Sequence, residues 1–199
     1  MCTEIEAKLK VDSLQQVERK LARLGARFLA EHLQTDYHFD DASATLTKTD
    51  RCLRLRCQKD KEGERFFLTY KGAKEKSRFK KRQEIEIEIK DSDSARKLLS
   101  ALGYEKVLVV EKTRRAWQLG GCEVALDRLP LLGDFVEIEG PDEEKIAAVQ
   151  GDLGLSGLPH IPKSYAALVK AGLRQPDKKQ IRAQEHKSIK AQGQDRRNG

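Results

Sequence analysis

No apolar run in the 199 residues approaches the length of about 18 that a membrane-crossing helix needs, and export by a signal peptide is not expected. The expectation is a cytoplasmic protein with no membrane partner. The four cysteines (Cys2, Cys52, Cys57, Cys122) form no CxxC pair, and no histidine stands at zinc-ligand spacing from them. They are expected as reduced thiols, not as a disulfide framework. There is no GxxxxGK[ST] and no strand–helix alternation, which argues against P-loop and doubly wound folds. The basic excess is also less than it looks. Net charge is +7, but residues 174–199 hold eight Lys/Arg against three Asp/Glu, leaving 31 against 29 in the remainder. Nucleic acid is therefore expected to bind only weakly, through that basic tail. The tail lacks aromatics and apolar periodicity and is expected to be disordered.

Residues 1–173 are long enough for one domain with a proper core. The first strand sets the theme. In Glu4-Ile5-Glu6-Ala7-Lys8-Leu9, side chains alternate, so Glu4, Glu6 and Lys8 share one face while Ile5, Ala7 and Leu9 share the other. Asp12-Ser13 offers an N-cap to a helix whose Leu14, Val17, Leu21 and Leu24 follow at helical spacing, closed by Gly25. Residues 27–40 read as a strand and 41–50 as a polar connection. Strands at 51–59 and 65–71 flank Asp60-Lys61-Glu62-Gly63, a hairpin signal. Residues 72–81 are basic, without apolar period, and read as a mobile loop. Residues 82–90 alternate most strictly, with isoleucines on one face and glutamates on the other. A helix is expected at 92–102, then strands at 107–119 and 122–129 joined at Gly120-Gly121. A strand at 135–139 and helices at 142–153 and 164–171 complete the domain.

At period two, one set of strand faces carries Glu4, Glu6, Lys8, Arg54, Arg56, Lys71, Arg82, Glu84, Glu86, Lys112, Arg114, Asp127, Glu137 and Glu139. The opposite faces carry Leu53, Leu55, Ile85, Ile87, Ile89, Leu126, Val136 and Ile138. With amphipathic helices available as a cover, the apolar faces are expected to point outward and the charged faces inward. The expected fold class is α+β: an eight-stranded, mostly antiparallel β-barrel forming a tunnel, with a polar lumen and helices packed outside. An open sheet with a wet charged face is the alternative, but it does not account for acids and bases segregating onto different strands. Buried ions are costly when unpaired, so the lumen charges must be paired, hydrated or liganded. Metal cation plus polyanion suits such a lining.

The Glu4-x-Glu6-x-Lys8 signature resembles the CYTH domain, or triphosphate tunnel metalloenzyme, family, which includes class IV adenylyl cyclases, thiamine triphosphatases and inorganic triphosphatases. The resemblance extends through Thr35-Asp36-Tyr37-His38-Phe39, Leu53-Arg54-Leu55-Arg56, Tyr70-Lys71-Gly72, Arg82-Gln83-Glu84-Ile85-Glu86, Glu111-Lys112-Thr113-Arg114, Leu126-Asp127-Arg128-Leu129, the stretch from Leu132 to Glu139, and Lys163-Ser164-Tyr165. The later motifs are similar to the class IV cyclase branch. One departure is Lys163, where many cyclase-type members have Arg; Lys keeps the charge but loses the bidentate fork. The tail after Arg174 has no counterpart in the family core.

The resemblance implies an eight-stranded antiparallel tunnel. It also implies that Glu4, Glu6, Asp127, Glu137 and Glu139 hold Mg²⁺ or Mn²⁺, and that Lys8, Arg54, Arg56, Lys71, Lys112, Arg114 and Lys163 grip phosphates. Glu84 and Glu86 are assigned to a second metal, to orienting water or to pairing with those cations; pairing is preferred for Arg82. The implied substrate bears a triphosphate: inorganic triphosphate, ATP or thiamine triphosphate. Hydrolysis by water is the first reading. Cyclisation of ATP, with the ribose 3′-hydroxyl attacking the α-phosphorus, is the second, and a non-catalytic polyphosphate- or nucleotide-binding module the third. Arg54 and Arg56, adjacent on one face, are expected to be held near acids and to repel each other until a polyanion arrives. Cys57, Trp117 and Tyr104 are expected to pack, the four histidines to stay outside the chemistry, and Cys52 to face the tunnel. The sequence leaves the oligomeric state open, a homodimer being one option.

Overall fold

The computed structural model describes residues 2–130 and 132–173; the expected tail lies outside them. Chain order is β1 (Cys2–Val11), α1 (Leu14–Arg23), β2 (Arg27–Asp40), α2 (Thr45–Lys48), β3 (Cys52–Lys59), β4 (Glu64–Lys71), β5 (Lys80–Ile89), α3 (Ser92–Ala101), β6 (Glu105–Leu119), β7 (Cys122–Leu129), β8 (Gly133–Glu139), α4 (Glu143–Asp152) and α5 (Tyr165–Leu173). The eight strands close into a barrel in the order β1-β5-β4-β3-β2-β6-β7-β8, and every pairing is antiparallel. Closure leaves no sheet edge for a foreign strand to join.

The period-two reading holds around the ring. Outward-facing Ala7, Leu9, Val124, Leu126, Val136 and Ile138 are buried beneath Leu14, Val17 and Leu21 of α1, Ile146 and Val149 of α4, and Leu153 just after it. The Ser13 side chain caps α1, and Asp91 and Asp142 cap α3 and α4 by accepting from backbone N–H groups that have no partner within the helix. Gly120 and Gly121, both at positive φ, make the β6–β7 turn. A Cβ on Gly140 would meet the Cys122 sulfur at 2.7 Å, so only glycine lets the end of β8 approach β7 this closely.

Helix α3 covers a second apolar group: Phe39, Leu55 and Leu99, with Tyr37, Leu53, Leu68, Ala95 and Tyr104 around them. The cover ends at β5, where Ile85 and Ile87 are about half exposed. Helix α5 is placed differently. Its Tyr165 and Val169 pack on Val110, Leu129 and Phe135, which lie on the same strand faces as Lys112, Asp127 and Glu137. It therefore closes one end of the lumen. The 41–50 connection contains α2, one short turn held because buried Asp40 accepts from the amides of Asp41, Leu46 and Thr47. No apolar period announced it. Strand β5 begins at Lys80, earlier than the 82–90 expectation. No helix among the described residues is long and apolar enough to cross a membrane.

A charged lumen as the candidate active site

The barrel encloses a cavity of about 530 Å³ lined almost wholly by ionisable side chains. Three walls can be distinguished. On β6, β7 and β8, Lys112 Nζ lies 2.9 Å and Arg114 Nε 2.7 Å from the carboxylate of Asp127. Arg114 also reaches Glu137, and Lys8 Nζ lies 3.1 Å from Glu137. Asp127 is fully buried and stands behind the lining, neutralised from the front by Lys112 and Arg114. Burial opposes its ionisation, but these two cations hold its carboxyl below the ordinary carboxylate range. Glu137 is likewise held well below it, because Lys8, Arg114 and Lys112 outweigh burial. Burial, reinforced by Arg114, lowers the Lys112 ammonium to about 8. The ring of Tyr165, N-terminal in α5, sits 4.2 Å from Lys8 Nζ and 4.8 Å from Lys112 Nζ, gathering both ammoniums on one π surface.

On β2, β3 and β4, Asp36 accepts a two-pronged bond from Arg56 at 2.7 and 2.8 Å, with Arg54 at 3.6 Å. Arg54 also donates to Thr69 at 3.0 Å and Glu86 at 3.2 Å. Burial would raise the Asp36 carboxyl, but Arg56 and Arg54 overcome it and hold the group far below its usual range. The expected nearby acid is present, and it corrects the expected repulsion between Arg54 and Arg56: the buried Asp36 carboxylate stands between them. His38 lines the same wall, neutral because burial lowers its imidazole to about 4. Cys52 Sγ lies 3.4 Å from His38 Nδ1, and burial raises that thiol, so the cysteine faces the lumen as expected but is not activated. Among the described residues, the buried Arg54 Nε and Arg82 Nε have no hydrogen-bond partner, leaving donors for an incoming anion.

The third wall is acidic. Glu4, Glu6, Glu123 and Glu139 line the cavity from β1, β7 and β8, with Glu6 and Glu123 both opposite Glu139 in register. Withdrawal from bulk water, with Glu4 and Glu6 nearby, raises the Glu139 carboxyl to about 7. Lys71 binds Glu4 at 2.7 Å and Glu84 at 2.8 Å, and Lys80 binds Glu6 at 2.5 Å. Burial disfavours the Lys80 charge, but Glu6, Glu4 and Glu137 raise its ammonium above the ordinary value.

The structure brings most of the expected residues to one cavity: Glu4, Glu6, Lys8, Arg54, Arg56, Lys71, Arg82, Glu84, Glu86, Lys112, Arg114, Glu137 and Glu139 all line it. Two stand elsewhere. Asp127 lies behind the wall, and the Lys163 side chain is exposed, its carbonyl instead accepting from Lys8 Nζ at 3.2 Å. Glu84 and Glu86 pair with Lys71 and Arg54. Arg82 faces Asp50, 3.6 Å away. The lumen also holds Asp36, His38, Asp50, Arg51, Lys80 and Glu123, none of which the sequence reading assigned to it. Most could have been found by extending the alternation: Asp36 and His38 along β2, Lys80 two positions before Arg82, Glu123 four before Asp127.

Donor chemistry for a hard divalent cation is present at the acidic wall, where carboxylates crowd closely enough to shift Glu139. As placed, no three Asp, Glu, His or Cys side chains among the described residues converge on one point. Lys71 and Lys80 stand on Glu4 and Glu6 instead, in the position of cationic partners that an ion would replace.

A closed antiparallel tunnel with opposed acidic and basic walls defines the class. The chain belongs to the CYTH domain family, whose model matches residues 3–165. It is 35% identical over 136 residues to a Methanocaldococcus jannaschii protein named "Putative adenylate cyclase MJ0240", covering 68% of this chain and 75% of that one. It is 28% identical over 180 residues to "Adenylate cyclase CyaB" of Aeromonas hydrophila, covering 85% of this chain and 90% of that one. Among solved structures it is similar to PH1819 from Pyrococcus horikoshii, with a TM-score of 0.74 and 30% identity over 84% of this chain and 98% of that one.

Proposed function

We propose that this protein is a divalent-metal-dependent enzyme that hydrolyses a triphosphate, inorganic or organic, by water attack inside the lumen. The observation that carries this reading is the separation of charge: basic groups on the β6 and β3 walls, with free donors on Arg54 and Arg82, opposite an acidic wall of glutamates. A chain of phosphates carrying a cation has the complementary distribution. Glu4, Glu6 and Glu139 would hold Mg²⁺ or Mn²⁺, which when bound supplies charge neutralisation to the phosphoryl oxygens. Asp127 and Glu137 are committed to Lys112, Arg114 and Lys8, and act by fixing those cations against the phosphates. Lys71 and Lys80, which bind Glu4 and Glu6 here, would be available to phosphate oxygens where a cation takes those carboxylates. Phosphoryl transfer asks mainly for positioning and charge neutralisation, so the wall needs no protein nucleophile. Hydrolysis is also the less demanding reaction, since it does not require a ribose hydroxyl to be held in line.

A second reading, conversion of ATP to cyclic AMP and pyrophosphate, is favoured by the names of both curated relatives. Incubating the protein and Mg²⁺ with inorganic triphosphate and with ATP, then identifying products, decides between the two. Orthophosphate release from either substrate supports the first reading and cyclic AMP the second. No product from either, with no change in melting temperature, overturns both.

A further inference from the structure

Lys163, Ser164 and Tyr165 make three consecutive contacts at the closed end of the lumen. The Lys163 carbonyl accepts from Lys8 Nζ at 3.2 Å. The Ser164 hydroxyl accepts from the Ala167 N–H at 3.2 Å and so caps the first turn of α5. The buried Tyr165 ring then stands 4.2 Å from Lys8 Nζ and 4.8 Å from Lys112 Nζ. The Phe135 ring meets it edge-on at 5.3 Å, and Val110 and Leu129 belong to the same apolar cluster, so the ring is held in place.

Strand pairing does not bring these two lysines together. Strands β7 and β8 separate β1 from β6 in the barrel. In register, Lys8 stands level with Glu137, Ala125 and Ala116, so Lys112 lies four residues along β6 from that row. Each ammonium has its own carboxylate, Glu137 at 3.1 Å for Lys8 and Asp127 at 2.9 Å for Lys112. What they share is Tyr165. Burial, with Glu137 and Asp127 close by, keeps its phenol protonated. The ring therefore offers the lysines a neutral π face, whose negative centre attracts cations, and not a phenolate.

We infer that Tyr165 is a positioning residue: its ring sets the Lys8 and Lys112 ammoniums as a two-pronged cation before a phosphate group reaches them. The inference rests on the triphosphate reading above and adds to it the group that orders this part of the basic wall. Lysine is a point charge on a flexible stem, and ordering two such stems at the moment of binding weakens affinity. Packing both against a fixed ring moves that entropy loss from binding into folding, so a phosphate finds the cations already in place. Tyr165 itself touches no phosphate; it acts through the two lysines.

The test measures calorimetric dissociation constants for inorganic triphosphate, in Mg²⁺, on the full chain and on two variants whose folding is verified by melting curves. Tyr165→Phe keeps the π face, whereas Tyr165→Leu keeps apolar bulk against Phe135 and removes the ring. The expected result is a loss of roughly tenfold in affinity for Tyr165→Leu and of less than about threefold for Tyr165→Phe. Proton NMR of the ligand-free wild type gives a second readout: two lysine ε-methylene signals moved upfield by the ring and retained in Tyr165→Phe. If Tyr165→Leu does not fold, those signals decide, their presence supporting the inference and their absence overturning it. A folded Tyr165→Leu that binds as the wild type does, or that loses no more than Tyr165→Phe, overturns the positioning role while the triphosphate reading stands. A wild type that binds no triphosphate overturns both.

Discussion

Glu137 and Glu139 stand two residues apart on the same face of β8, yet they belong to opposite electrical regions. Glu137 sits among Lys8, Lys112 and Arg114 and is held ionised well below its ordinary range. Glu139 sits among Glu4, Glu6 and Glu123 and is raised to about 7. One strand thus delivers two carboxylates whose roles are set by what the neighbouring strands present. The first has its charge fully answered by the protein and serves as structure for the basic wall. The second has more acidic than basic neighbours among the described residues, Lys71 alone opposing Glu4, Glu6 and Glu123, and that deficit is what a ligand can fill. Residue type alone does not tell a scaffold acid from a ligand acid; the count of opposing charges does.

The sharpest way to break the comparison is to disarm the basic wall. Arg114→Met removes the guanidinium shared by buried Asp127 and Glu137, leaving Lys112 and Lys8 as their partners. Removing one member of a buried ion pair costs about 3–5 kcal/mol, so urea unfolding should show a loss of that order together with loss of turnover. A loss too small to measure by denaturation would mean that the wall is not a unit. Arg56→Ala comes next. Asp36 would keep only Arg54 at 3.6 Å, and stability should fall by about 1–3 kcal/mol rather than stay level as repulsion between the two arginines would require. Because the folded Asp36 carboxyl titrates below its ordinary 3.8, this contribution is present above that pH and fades as the pH falls below it. An equal cost at pH 7 and at pH 2 would exclude the Asp36–Arg56 pair as its source.

The acidic wall should respond in the opposite sense and more weakly. Glu139 titrates near 7 in the folded chain against 4.5 for an ordinary glutamate. Between those values the native state binds a proton that the unfolded state has released. Its protonation therefore favours folding below pH 4.5 and ceases to do so as the pH rises through 7. Glu139→Gln should match the wild type near pH 4.5 and be more stable near pH 8; because Glu139 keeps part of its surface in solvent although it lines the lumen, screening limits the gain to under about 1 kcal/mol. Adding Mg²⁺ should raise the melting temperature of the wild type more than that of the variant. Melting curves at both pH values, with and without Mg²⁺, read out the effect, and a wild type that gains stability from pH 5 to 8 relative to Glu139→Gln would contradict the assignment.

Much of this was legible in the chain, and the reason is the period of two. Glu4, Glu6, Lys8 and the β5 run betray their facing because isoleucine and leucine fill the alternate positions, so fold class and most of the lumen lining follow from alternation plus helices to cover the outside. What alternation cannot show is which charges meet across the lumen. Asp36 between Arg54 and Arg56 joins β2 to β3, and Asp127 behind Lys112 and Arg114 joins β7 to β6; the sequence does not state these partnerships. Lys163 misled for a related reason: it lies in the segment before α5, where no strand parity dictates direction, and its backbone rather than its ammonium meets the site. Helix α2 was hidden because Asp40 side-chain bonds, not an apolar stripe, hold it.

The closure of the barrel also has a consequence for how the chain reaches its native state. Strand β1 pairs through residues 2–6 with β5 and through 6–11 with β8, whose partners end at Glu139. The strand that comes first in the barrel's chain order is therefore the last to be flanked on both sides, since most of the domain must exist before its second neighbour does. Such high contact order predicts slow folding, with β2–β3–β4 hairpins forming early and the ring closing late. Pulse-labelled hydrogen exchange should find β1 amides protected after those of β3 and β4, and simultaneous protection would rule out a late closure. The same strand carries Glu4 and Glu6, so the acidic wall is completed only in the final folding step, and until the ring closes Lys71 and Lys80 stand without those two carboxylates.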